Sequence, residues 1–562
     1  MKQINRREFL ENSFIIGAGS IAFSACSSLG ISFRDYEFDI LLMNGFVIDG
    51  SGKAEFRADV GIKDGKIKSI GILTNSNARK VIDVKGLKIS PGFIDIHTHT
   101  DLGILRNPNG ESKIRQGVTT EVSGNCGGSF APMSKEEFDE QKINFEKLGL
   151  ELKNPSLGSV LESLDKWKFA VNQATLVGLG TIRENIIGMK DRPATADEIK
   201  MMRYEIEKAI DEGAVGAASG LEYTPGSFAS TEELIKVCKG LHGKANLYAT
   251  HMRNEDNYVE EAVDEAIKIA KGSNARLEIS HLKASGKSNW YKAENLLKQI
   301  DEAVKSGLEV HADRYPYVAY HTGLANLFPL WARDGGSEEF IKRLYNNENY
   351  EKMREYAEKK VSNLDGGWNG VVISGLANKE LQHLKGLSIK EISEDQDKEP
   401  FDVAADLIKA TKSSVMMVGF GMSEKEIETI LSHPRVMIAS DAGAHAPYPP
   451  MNNSIAHPRA YGTFPRAIAK YVKERKICSL EEMIRKMTSL PAEKFRFNDR
   501  GKIESGKNAD IVVFDYDKIK DNAEFTDSMK YPSGIEHVIV NGKLTMENSE
   551  FTGELAGKIL RN

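Results

Sequence analysis

Ile94-Asp95-Ile96-His97-Thr98-His99 sets two histidines two residues apart. On a strand they share a face, with Cα atoms ~6.6 Å apart at ~3.3 Å per residue, while the residue between them turns away. Two imidazoles converging in this way make half of a metal site. Tyr248-Ala249-Thr250-His251 and Glu278-Ile279-Ser280-His281 each end an apolar run on a histidine, and Ile438-Ala439-Ser440-Asp441 ends one on a carboxylate. Gly124-Asn125-Cys126-Gly127-Gly128 holds a cysteine in a glycine turn, a poor place for a packing residue and a plausible one for a thiolate ligand. Cys238 and Cys478 fall in helical stretches and read as packing residues.

These side chains must be brought to one place, and the order of elements says how. Apolar strand-like runs occur at Phe93–His97, Val118–Ser123, Ala174–Val177, Ala214–Ser219, Leu247–His251, Leu277–His281, Leu308–Asp313 and Val436–Asp441, with helical stretches such as Glu260–Lys271 and Ala293–Lys305 between most of them. Eight βα units predict a (β/α)8 TIM-type barrel over 91–494, with function at the C-terminal strand ends, where His97, His251, His281 and Asp441 lie. The stretch from Tyr320 to His433 is too long for one βα connection and predicts an inserted subdomain at about 330–430. Residues 36–90 carry hairpin signals at Asn44-Gly45 and Asp64-Gly65, and the C-terminal segment repeats that texture at Ala509–Phe514 and Val538–Lys543. Segments 36–90 and 495–555 are therefore expected to form one small β-sandwich from both chain ends.

Composition excludes other classes. The net charge of −6 gives no basic face for nucleic acid. Four cysteines in 562 residues cannot make a disulfide scaffold. No run of 18 apolar residues is present, which excludes a membrane-spanning transporter. Residues 1–30 stand apart. Lys2, Arg6 and Arg7 precede a short apolar stretch at Phe14–Phe23, as in a twin-arginine-like export signal. Phe23-Ser24-Ala25-Cys26 resembles a lipobox. The expectation is an exported protein on the periplasmic side of a bacterial membrane, with Cys26 lipidated and the membrane contacted only through that anchor.

The motifs then point to a family. Pro91–His99, Gly117-Val118-Thr119-Thr120 through Gly124-Asn125-Cys126-Gly127, and Gly220-Leu221-Glu222-Tyr223-Thr224-Pro225-Gly226 carry the first half of the resemblance. His251-Met252-Arg253-Asn254-Glu255, Ser280-His281-Leu282-Lys283, Tyr315-Pro316-Tyr317, Ser440-Asp441 and His457-Pro458-Arg459-Ala460-Tyr461-Gly462-Thr463-Phe464 carry the second. From about residue 36 to 560 the sequence resembles the D-aminoacylase (N-acyl-D-amino-acid deacylase) branch of the amidohydrolase superfamily. The resemblance implies zinc, with Cys126, His251 and His281 as a tight site. It implies a weaker second site of His97, His99 and Asp441 that shares Cys126. Asp441 would be the general base and Tyr223 a donor to the developing oxyanion. Lys283, Tyr317 and Arg253 would contact the substrate, an N-acyl-D-amino acid or related D-peptidic amide. Arg314 would offer an acidic side chain a partner, but strand alternation turns it away from Asp313 and Tyr315, towards an ion pair outside the barrel. Two other readings compete: a cyclic-amide hydrolase of dihydroorotase or hydantoinase type, against which Cys126 argues, and a non-catalytic binding lipoprotein on a retired barrel.

Overall fold

The computed structural model describes residues 36–452 and 455–562. The expected export segment and Cys26 lie outside them. Five strands come first: Phe38–Val47 (β1), Phe56–Lys63 (β2), Lys66–Gly71 (β3), Ala78–Asp83 (β4) and Lys88–Pro91 (β5). Asp64 and Gly65 link β2 to β3 with φ of 50° and 78°, the left-handed pair that a two-residue hairpin needs.

The barrel strands follow: Phe93–Asp95 (β6), Val118–Ser123 (β7), Asn172–Thr175 (β8), Val177–Gly178 (β9), Ala217–Gly220 (β10), Leu247–His251 (β11), Arg276–Ile279 (β12) and Val310–Arg314 (β13). Ala319–Gly323 (β14), Val371–Leu376 (β15) and Val415–Phe420 (β16) then leave the barrel, and Val436–Ile438 (β17) returns to it. β8 and β9 are pieces of one strand broken at Leu176, so eight strand positions surround the barrel, joined by parallel ladders. The ladders form two arcs, β6-β7-β8 and β9-β10-β11-β12-β13-β17. Between β17 and β6 no ladder forms among the described residues. Two bonds cross that seam instead: Asp441 N–H donates to His97 O at 2.9 Å, and Ser440 N–H to Asp95 Oδ1 at 2.9 Å. Helices such as Val259–Ser273 and Ala293–Lys305 cover the barrel, burying Val263, Ile269, Leu296 and Ile300 against it.

β14, β16 and β15 form a separate antiparallel sheet. With helices that include Asn347–Ser362 and Pro400–Ala410 it encloses its own core, from Leu324 to Met417. The excursion thus begins at β14, ahead of position 330, and closes over the C-terminal end of the barrel. The last strands, Ile511–Phe514 (β18), Ile535–Val540 (β19), Lys543–Glu547 (β20) and Glu550–Phe551 (β21), join β1–β5 in one nine-stranded sheet. Val60 on β2 and Ile539 on β19, four places apart in that ladder, share one core, and Lys66 at the start of β3 bridges to Asn508, so the sheet wraps round on itself. Its β18–β19 connection reaches the barrel mouth, where Phe525 packs 5.0 Å from His457.

Candidate metal centre and active site

Six side chains converge at the C-terminal mouth. His97, His99, Cys126 and Asp441 offer ligand atoms all within 4.8 Å of one another, and so do Cys126, His251 and His281. The Cys126 Sγ lies 3.3 Å from His97 Nε2 and 3.5 Å from His281 Nε2, which makes it the shared centre. Asp441 Oδ1 lies 3.0 Å from His99 Nε2 and 3.4 Å from His97 Nε2.

Backbone strain puts several of them there. Cys126, His281 and Asp441 have φ of 53°, 36° and 50°, a region that residues with a Cβ seldom occupy. Each follows a strand, and the turn swings its side chain over the barrel axis. The glycines beside Cys126 allow the close approach: a Cβ on Gly127 would sit 2.6 Å from Gly220 N, and one on Gly220 would sit 2.0 Å from Cys126 O.

The hydrogen bonds orient the rings. His97 Nδ1 lies 3.1 Å from Asp313 Oδ2, and His281 Nδ1 lies 2.8 Å from Glu255 Oε1. Lys283 Nζ is also 2.8 Å from His281 Nδ1, but one ring nitrogen cannot accept from Lys283 and donate to Glu255 at once. Donation to Glu255 is the arrangement that leaves the Nε2 lone pair facing Cys126, and Lys283 keeps Glu255 Oε2 at 2.6 Å. Neither ring nitrogen of buried His251 has a hydrogen-bond partner.

The surroundings favour positive charge. Burial opposes ionisation of Cys126, yet His97, His251 and His281 hold its thiol well below the usual range. Burial likewise raises Asp441, but Arg459, His97 and His99 hold it well below a normal carboxylate. Against burial, Asp441 and Cys126 lift His99 to about 9, and Glu255 and Cys126 lift His251 to about 10. Thiolate, imidazoles and carboxylate around buried, unpartnered nitrogens fit a divalent metal of borderline softness.

The cluster opens into a cavity of about 440 Å3, within the usual range for a small-molecule site. Tyr223 and Lys283 line it. The Tyr223 ring packs at a tilt against His251, 4.6 Å between centroids, and its hydroxyl lies 3.2 Å from Thr322 Oγ1. Lys283 is committed to Glu255 rather than free. Two expected substrate contacts lie elsewhere. Arg253 is tied to Glu265 and donates to the Ser227 and Ala229 carbonyls, so it braces the loop behind Tyr223. Tyr317 turns away from the cavity and donates to Asp521 Oδ2 at 2.8 Å, while Tyr315 takes the cavity wall. Arg314 is fully buried, with Glu426 Oε2 at 3.2 Å.

Residues that the sequence did not single out complete the site. Arg459 Nη1 lies 2.8 Å from Asp441 Oδ2. Arg459 and Lys283 both flank the Tyr315 ring, at 4.7 and 5.9 Å from its centroid, and the Tyr315 hydroxyl is buried without a partner. Lys360, from the inserted subdomain, closes the far wall, donating to Asn326, which in turn donates to Glu222. Glu255 and Arg459 stand inside motifs quoted above, but nothing in their spacing gives their partners.

Residues 410–546 match a model described as "Amidohydrolase family". The chain is 34% identical to D-aminoacylase of Alcaligenes xylosoxydans xylosoxydans, over 93% of this chain and 97% of that one. The crystal structure of N-acyl-D-glutamate deacylase from Bordetella bronchiseptica, complexed with zinc and a phosphonate mimic of the tetrahedral intermediate, is 30% identical. It superposes with a TM-score of 0.78 over 93% of this chain and all of that one. A D-aminoacylase structure concerned with a binuclear metal centre, one metal activating and the second attenuating, is 33% identical, with a TM-score of 0.77 over the same shares.

Proposed function

The chain belongs to the D-aminoacylase family of amidohydrolases, and from that premise we propose how its own residues work. It is a zinc-dependent hydrolase that cleaves the amide bond of N-acyl-D-amino acids to a carboxylate and a D-amino acid. The observation that carries this is the shared Cys126 thiolate between two donor sets at the mouth of the barrel.

Cys126, His251 and His281 would hold the tight zinc, and His97, His99 and Asp441 the weaker one, with Cys126 common to both. Bound zinc supplies a Lewis acid that polarises the amide carbonyl and acidifies water. The protein's part is proton transfer and placement. Arg459 lies 2.8 Å from Asp441 Oδ2 and keeps the carboxylate ionised, so that Asp441 can take a proton from water and return it to the leaving amine. Burial pushes the Tyr223 hydroxyl up, so it stays protonated at neutral pH and donates to the developing oxyanion. Arg459 and the Tyr315 hydroxyl, which has no partner within the protein, form the side of the cavity that receives the substrate carboxylate, while Lys283 stays paired with Glu255 behind them. The test is a panel of N-acetyl-D- and L-amino acids with hydantoins alongside. Release of free D-amino acids alone supports the reading, and turnover of hydantoins alone would favour a cyclic-amide hydrolase.

Export rests on residues 2–26. A twin-arginine-like start, a short apolar stretch and Ser24-Ala25-Cys26 support a lipid-anchored enzyme on the periplasmic side, tethered by residues 27–35. Radiolabelled palmitate should enter the wild type and not Cys26→Ala. An unlabelled chain with its N-terminus intact at Met1 would overturn this.

A further inference from the structure

Lys113 has no part in the scheme above, yet it is fully buried, where lysine is rarely found. A buried ammonium is costly unless its protons are matched. It projects from the helix Glu111–Ile114, and its Nζ donates to Asp95 Oδ2, Ser440 Oγ and Ala442 O, each at 2.8 Å. Glu121 Oε1 lies 3.3 Å away. These partners surround one set of donors. Asp95 is two residues before His97. Ser440 and Ala442 flank Asp441. Glu121 also accepts from Thr100, the residue after His99, and Thr100 Oγ1 accepts from Ala444 N–H at 3.0 Å. The ammonium therefore grips both sides of the seam where β17 and β6 lack a ladder.

We propose that Lys113 is the positioning residue of the His97, His99 and Asp441 cluster. Its ammonium replaces the missing ladder and holds the strained Asp441 turn against the His97–His99 strand end. The inference rests on the reading that zinc binds there, and it goes further by naming what keeps the second set in register. Lys113 neither lines the cavity nor touches Cys126, His251 or His281, so its influence is confined to one cluster.

The test is calorimetric zinc titration of the metal-stripped full chain, wild type against Lys113→Met, repeated with Co2+ so that the absorption of each equivalent is read. The first equivalent should bind as in wild type. The second should weaken about 10-fold, the lower end of what losing a group bonded directly to a ligand costs, because Lys113 acts through the residues beside the ligands, and its Co2+ spectrum should change. Turnover of N-acetyl-D-amino acids should show a lower kcat with KM held. A second equivalent bound within two-fold of wild type, with an unchanged spectrum, overturns the proposal while leaving the proposed function standing. A wild type that binds no zinc overturns both. If Lys113→Met does not fold, Ser440→Ala removes one acceptor and leaves the lysine. It should show the same split on a smaller scale, and an unaltered second equivalent there is equally contradictory.

Discussion

His251 and His281 stand at the ends of β11 and β12, two strands joined by four ladder pairs, whereas His97, His99 and Asp441 face each other across β6 and β17, which share no ladder among the described residues. The first set follows two strands held in one ladder, with Asp313 Oδ1 accepting from the His281 N–H at 2.9 Å and Glu255 beside its ring. The second spans a seam crossed by one backbone bond, Asp441 N–H to His97 O, and is otherwise braced by side chains, Lys113 and Arg459 among them. Two donor sets that share one sulfur are thus supported in different ways. The ladder-held set should bind the tighter metal. The seam-spanning set carries Asp441, the group that must exchange a proton.

The largest effect should come from removing the sulfur that the two sets share. Cys126→Ala should lower bound zinc well below one per chain and abolish measurable turnover; full zinc with full activity would show that the sulfur is not central. Asp441→Asn should act on one side only. It keeps the shape but cannot accept the proton, so kcat should fall at least ~10²-fold while the first zinc stays. Activity within a few-fold of wild type would mean that another group is the base. Glu255→Gln should act on the other side, weakening the first zinc by roughly 10- to 100-fold through the lost His281 partner. A selective loss of the second equivalent in that variant would reverse the assignment. Arg253→Ala should be the mildest. It breaks the loop brace behind Tyr223 at a cost of ~1–3 kcal/mol to stability, read from denaturant melts, with KM changed less than two-fold. A large rise in KM would restore it as a substrate contact.

What the sequence allowed one to read follows the same division. The convergence of His97, His251, His281 and Asp441 is legible because strand ends of a (β/α)8 barrel meet at one mouth. Cys126 is legible because its glycine turn has no packing use. Asp313, Glu255, Arg459 and Lys113 are not, since each earns its role through a partner far away in sequence. Lys113 in particular looks like an ordinary surface lysine until tertiary packing buries it. Tyr317 misleads for a local reason: Pro316 interrupts strand alternation, so Tyr315 takes the cavity and Tyr317 turns to Asp521. Arg314 follows alternation and pairs with Glu426 away from the cavity. The wrapped terminal sheet has clear hairpins, but its continuity depends on β18 pairing with β5, a contact between chain ends that no local pattern encodes.

The most direct test strips the protein with a chelator and adds zinc back stepwise while following release of free amino acid from an N-acetyl-D-amino acid and its L enantiomer. The account predicts that D-turnover vanishes on stripping and returns with the first equivalent of zinc, while the L enantiomer stays inert throughout. Undiminished turnover after complete metal removal, or equal rates on the two enantiomers, would contradict it.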